Sequence, residues 1–153
     1  MAYDGLFRAQ TVLTTLLAGL AANTAAVASE QGVTVQAPGT VYTRPLNTWP
    51  MDDVRPVEVV GPTGPLDGPK QSTTGDLSYW VMVSGRDADA DHLDTELKCY
   101  GTALVRTLDK QSSPDGRWSV YCGRVDYAPP STITEGEPFL GVFGVEVTVK
   151  IAG

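Results

Sequence analysis

Between Leu77 and Ile151 the hydrophobic period changes from two to about 3.6 and back to two, and this order constrains the fold more than any other feature. Leu77–Ser84 alternates, with Leu77, Tyr79, Val81 and Val83 opposing Ser78, Trp80, Met82 and Ser84, which predicts a strand. A helix is predicted from near Asp91, carried by the stripe Leu93, Leu97, Tyr100, Leu104 and Leu108. Asp91 is its expected cap, and Asp94 falls in a first turn whose dipole favours negative charge. Pro114, Asp115 and Gly116 then supply a turn, Trp118–Tyr127 a further strand, and APPSTITEGEP a long loop. The closing strand sets Phe139, Gly141, Phe143, Val145, Val147, Val149 and Ile151 against Leu140, Val142, Gly144, Glu146, Thr148 and Lys150. Strand, helix, strand, strand is an α+β sentence.

The preceding half is less regular. Leu6, Leu13, Leu17 and Leu20, widened by Val12 and Leu16, predict one helix from about Tyr3 to Ala28, with Asp4 as cap and Gly32 beyond its end. TVLTTLLAGLAANTAAVAS has the look of a secretory apolar region. Asp4 offsets Arg8 before it, however, and Thr, Asn and Gly make it too polar to span a bilayer, so a mature helix is expected. Pro38, Gly39, Pro45 and Pro50 then oppose regular structure up to Asp53. Tyr42, Leu46, Trp49 and Met51 in that stretch either form an adhesive arm or wrap the domain, and wrapping is the expectation. Val54–Val60 reads as a short strand made irregular by Pro56. One core is expected to gather Leu13, Leu17, Leu93, Leu97, Leu104, Val81, Val83, Val145 and Val147. Gly101 inside the second helix implies close approach of the first helix or the sheet.

Tests for chemistry return little. DADAD, from Asp87 to Asp91, fails as a calcium loop because His92 stands where glycine is needed and Lys98 where a bidentate glutamate is needed. His92, the single histidine, is expected to be solvated in a helix's first turn. Cys99 and Cys122 lack CxxC partners for zinc, and semi-buried reduced thiols are expected over a disulfide. GPTGPLDGPK fails as a phosphate cradle, since its prolines remove the required N–H groups and Pro69 separates Gly68 from Lys70. Tyr121 and Tyr127 have only Arg124 beside them as a base-stacking surface, so they are expected in the core. No metal, cofactor or catalytic residue is expected, and an enzyme built from scattered residues is the remote alternative.

A length of 153 residues fits one domain, and a hydrophobic share of 42% fits a globular one. The net charge of −7 disfavours a phosphate-gripping surface and leaves room for an acidic face or channel lining. Asp87, Asp89, Asp91, Asp94 and Glu96 crowd one strand-to-helix junction. A solvated loop tolerates such crowding, and a channel lining would exploit it.

With LSYWVMVSG leading into LDTELKCYGTALVRTL, and FLGVFGVEVTVKIAG closing the chain, the order of elements resembles the tail-terminator family of long-tailed bacteriophages and related neck proteins. The Gly32–Asp53 segment is longer than the simplest version of that pattern. The resemblance implies a single tail-terminator-like domain over residues 1–153. Its mixed, mainly antiparallel sheet would have about four strands and two helices packed on one face. It further implies a virion structural protein, made in the host cytoplasm, that forms a sixfold ring. That ring would cap the tail tube, meet a head connector or stopper protein, and let DNA pass as a non-specific neighbour. In such a ring the five acids would face the lumen. Docking would fall to two loops, Gly61–Gly75 with Gly61, Pro62, Pro65 and Asp67, and Ala128–Pro138 with Thr132, Glu135 and Glu137. Another neck protein, such as a stopper or adaptor, and a protein-binding module using the Tyr42–Met51 arm are the alternatives.

Overall fold

The computed structural model describes residues 4–44, 46, 53–63, 75–132 and 134–151. The helix expected from Tyr3 to Ala28 is two helices, α1 (Asp4–Leu17) and α2 (Leu20–Gln31), meeting at a 42° bend. Where they part, the Ala18 and Gly19 amides donate to Thr15 O and Leu16 O, three residues back instead of four, which tightens and closes α1. The bend brings Leu13 and Leu17 from one helix, and Leu20 and Val27 from the other, into the same core. Among the described residues no single helix is long and apolar enough to cross a membrane. The bent pair passes that test by length and composition, and its apolar face is spent inside the fold. Gly32 ends α2 in the left-handed conformation (φ 67°), where its N–H closes on Ser29 O, as its position predicted. Tyr3 and the Asp4 side chain lie outside the described residues.

The longest helix, α3 (Ala90–Leu108), buries its whole predicted stripe: Leu93, Leu97, Tyr100, Leu104 and Leu108 are each fully inaccessible. Its cap is Asp89, not Asp91. Asp89 has extended backbone, and its carboxylate accepts from Asp91 N (3.1 Å) and His92 N (3.2 Å). A Cβ on Gly101 would lie 2.3 Å from the Phe143 ring, so the sheet is what approaches this helix closely. Asn23 Nδ2 donates to Thr107 Oγ1 (2.8 Å), and Arg106 grips Glu30 with two bonds, tying α3 to α2.

Among the described residues the sheet has six strands where about four were expected. Ranked across the sheet they run β1 (Val41–Tyr42), β2 (Val57–Val60), β3 (Gly75–Asp87), β6 (Phe139–Ile151), β5 (Trp118–Ser131) and β4 (Gln111–Ser112). β1 pairs parallel with β2 and every other pair is antiparallel, so the sheet is mixed; it curls into a half-barrel and packs one face against the described helices. The two additional strands, β1 and β4, have two residues each, too short to leave a periodic signal. β2 starts at Val57 rather than Val54, because Arg55 turns into the interior and Pro56 offers no N–H. β3 outruns the predicted Leu77–Ser84 at both ends. β5 continues past Tyr127 through Pro129 and Pro130, so the loop expected from Ala128 starts only at Thr132. Beyond Val120, β5 has β6 on one side and no ladder on the other, and such an edge tolerates proline.

All nine residues expected in the core fall in one buried cluster. Tyr79 joins them, its hydroxyl donating to Leu6 O (3.1 Å), and burial pushes its pKa up to about 12. The arm after Gly32 wraps the domain in part: Tyr42 lies in β1 and Leu46 N donates to Glu58 Oε2 (3.1 Å). Trp49 and Met51 lie outside the described residues.

Candidate functional site

The five acids expected on one surface separate into three environments. Glu96 leaves the surface altogether. It sits on α3 between Leu93 and Tyr100, on the buried stripe, and is 0% exposed. Its partner is Arg55, 2% exposed, which reaches it from the turn before β2 through Nε (3.2 Å) and Nη2 (2.5 Å). The guanidinium also donates to Asp87 Oδ2 (2.9 Å), Val54 O (2.9 Å) and Arg86 O (3.0 Å), so its fork is saturated. The other Glu96 oxygen accepts from Gln36 N (2.9 Å) and lies 3.1 Å from the Tyr100 hydroxyl, which also reaches Gln36 O (2.8 Å). One buried carboxylate thus fixes the post-α2 arm, the turn before β2, the end of β3 and α3. Burial works against the Arg55 charge; Glu96, and then Asp87, outweigh it and hold the guanidinium above its ordinary value.

Asp87 and Asp94 are the half-buried, neutralised acids. Asp87 is held below the usual range by the Asp89 amide, and by Arg55 once partial burial is overcome. Asp94 is lowered by Lys98 (2.8 Å) and by the Tyr127 hydroxyl, which donates to it. Only Asp89 and Asp91 are exposed, and Asp89 is occupied as the cap. His92 is exposed as expected, yet its Nε2 lies 3.1 Å from Glu96 Oε1 and 4.0 Å from Asp87 Oδ2.

Asp87, His92 and Glu96 offer ligand atoms within 4.8 Å of one another, the spacing of a metal site. The group does not suit one. Arg55 Nη2 lies 2.9 Å from Asp87 and 2.5 Å from Glu96, so a fixed cation already stands between the two carboxylates. A divalent ion would have to take the carboxylates from it and leave a buried guanidinium without its counter-charges.

The depressed carboxylates give a pH dependence. Asp87 and Asp94 hold protons more weakly in the folded chain than at the ordinary value of 3.8. Their contribution is complete above that value and is lost as pH falls through their lowered folded values. Thermal midpoints are expected to drop steeply in acid, and Asp87→Asn to flatten that limb. An acid limb of unchanged slope in Asp87→Asn would remove Asp87 from the account.

Of the expected docking residues, Gly61 is exposed and Pro62 half-buried beyond β2, while Pro65 and Asp67 lie outside the described residues. Thr132, Glu135 and Glu137 are exposed on the loop between β5 and β6. The two loops leave different strands and are not brought together by any described contact. Cys99 and Cys122 are free thiols; burial, with Asp109 adding to it, pushes Cys122 up to about 12, beyond ready reactivity. Tyr127 packs on Phe143 (centroids 5.4 Å apart), as expected of a core aromatic, whereas Tyr121 is 47% exposed. Sequence reading missed Arg55 entirely. Its signal was the cation at the start of VRPVEVV, a strand-like run whose one other charged residue is Glu58. No protein-family model matches the chain, and no curated protein matches its sequence.

Proposed function

We propose that the chain is a ring-forming tail terminator, a virion structural protein without catalytic activity. It would cap the tail tube, present a joining surface to the head connector or stopper, and pass DNA through its ring. The observation that supports this reading is the α+β subunit whose described helices share one core with one face of the sheet, the strand β6 lying at the sheet's centre. That arrangement agrees with the order of elements by which the sequence resembles the family. The proposed subunit is one domain, the proposed ring a hexamer, and Thr132, Glu135 and Glu137 belong to an exposed loop available for docking. The test is to add purified protein to isolated tails with uncapped tubes and image them. A ring at the head-proximal end that stops tube growth is expected; tails that stay bare and keep growing would end this reading.

The charge of the lumen becomes a narrower proposal than the sequence suggested, because Glu96 is buried and Asp87 and Asp94 are paired. Asp89 and Asp91 remain as acids able to repel passing phosphate. Asp89→Asn retains a capping side chain, so Asp89→Asn combined with Asp91→Lys is expected to fold, assemble and slow genome ejection at low salt, where screening is weakest. Ejection rates equal to those of the unmodified particle at low ionic strength would take these residues off the DNA path.

A further inference from the structure

The face of the sheet turned away from the described helices carries an apolar groove of about 430 Å³. Val60, Trp80, Met82, Val142 and Gly144 line it, with Arg124 lying over the Trp80 ring at 5.2 Å. None of the residues lining it belongs to a helix. Across this face the acids Glu58, Asp76, Asp126 and Glu146 stand against the cations Arg86, Arg124 and Lys150, so they are largely offset; Glu58 pairs across the ladder with Met82 itself. The opposite layer has a matching property. Between Gly5 and Gln31 the only charged residues are Arg8 and Glu30, and Glu30 is occupied by Arg106. The outward positions Phe7, Thr11, Thr15, Ala18, Ala22 and Ala25 are uncharged, and Phe7 is 72% exposed.

We infer that these two surfaces bind each other between copies: the outward side of α1 and α2 of one chain seats on the bare sheet face of the next, with Phe7 over the Trp80–Met82–Val142 groove. Charge selects this partner. Each copy carries −7, so most approaches of two copies are repulsive. On the helix layer and on this sheet face the acids are absent or largely offset. Extent agrees as well. At about 1.5 Å per helical residue the pair is roughly 39 Å long, and at about 3.3 Å per strand residue β3 and β6 are roughly 43 Å long. Three strands about 4.8 Å apart give a face of roughly 600 Å² in projection, comparable to the about 800 Å² per partner of a stable interface. Because the surfaces lie on opposite layers, the contact is head-to-tail and generates rings or open filaments rather than closed twofold dimers. The contact stands on these surfaces alone; only its closure into a ring rests on the proposed function.

Light scattering on the intact protein, on Phe7→Ser, on Met82→Lys and on an equimolar mixture of the two variants tests it. The unmodified chain is expected to form species larger than a dimer, and each variant alone to lose assembly. The mixture is expected to stop at dimers, since each variant retains one working surface. Assembly of Phe7→Ser equal to that of the unmodified protein would overturn the inference and point to sheet-to-sheet pairing or another occupant. A monomer at the highest soluble concentration would overturn it too. Phe7 is exposed, so that variant decides the matter even if circular dichroism shows Met82→Lys unfolded. Assemblies that form as described yet ignore tails would keep the contact and discard the tail-terminator reading.

Discussion

Replacing Arg55 with methionine is expected to cost about 3–5 kcal/mol of folding stability, the range for removing one partner of a buried ion pair. The reason is asymmetric. Arg55 and Glu96 are 2% and 0% exposed, so the carboxylate left behind has no water to turn to. Methionine fills much of the volume and isolates the loss of charge and donors from a packing defect. Val54 O and Arg86 O lose their donor in the same step. A second substitution separates charge from shape. In Arg55→Met with Glu96→Gln, no buried charge remains, and the amide oxygen still accepts from Gln36 N. The double variant is therefore expected to recover a large part of the loss. Urea midpoints at unchanged slope are the measurement. A loss below about 1 kcal/mol for Arg55→Met would show that water reaches Glu96, against its assigned burial.

The same ion pair shows what the sequence could and could not reveal. Periodicity located α3, β3 and β6, because each buries a face whose apolar residues recur at the period of its backbone. Glu96 was also within reach: three residues after Leu93 and four before Tyr100, it lies on the stripe, and a carboxylate there must be buried and paired. Nothing local, though, names its partner forty-one residues away, nor Gln36 on the arm. Grouping Glu96 with Asp87–Asp94 followed charge alone and ignored phase. The capping error has a similar origin. Asp89 and Asp91 are equivalent in composition, and only the extended backbone at Asp89 separates them. Pro129 and Pro130 favour a loop by composition, yet the chain stays a strand because β5 runs as an edge there. The break at Ala18–Gly19 was hidden by a leucine pattern that continues through it, since the bend returns Leu20 to the core that Leu17 serves.

Truncating Leu97 to alanine is expected to destabilise the fold by about 2–5 kcal/mol, with the upper half of that range favoured by the geometry. The penalty depends on how far the walls can close on the space left. Here they are stiff. Leu97 Cδ1 comes to 2.6 Å from where a Cβ on Gly141 would stand, so the helix already rests against β6. β6 in turn is laddered on both sides, to β3 and to β5, and cannot move toward the cavity without breaking those pairings. On the helix side, the neighbouring Glu96 is anchored by Arg55 and Gln36, which resists an inward shift of that turn. Thr102→Ala, exposed on the same helix with its hydroxyl bonded to Lys98 O, is the control and is expected within about 0.5 kcal/mol of the unmodified protein. A thermal midpoint lowered by roughly 2–4 °C per kcal/mol gives an independent reading. A loss well under 1 kcal/mol would mean that α3 turns another face to the sheet. Leu97 lies in the core and touches neither the outward side of α1 and α2 nor the bare face of the sheet. Below its lowered midpoint, the variant should therefore associate as the unmodified chain does, whereas Phe7→Ser should fold normally and fail to associate.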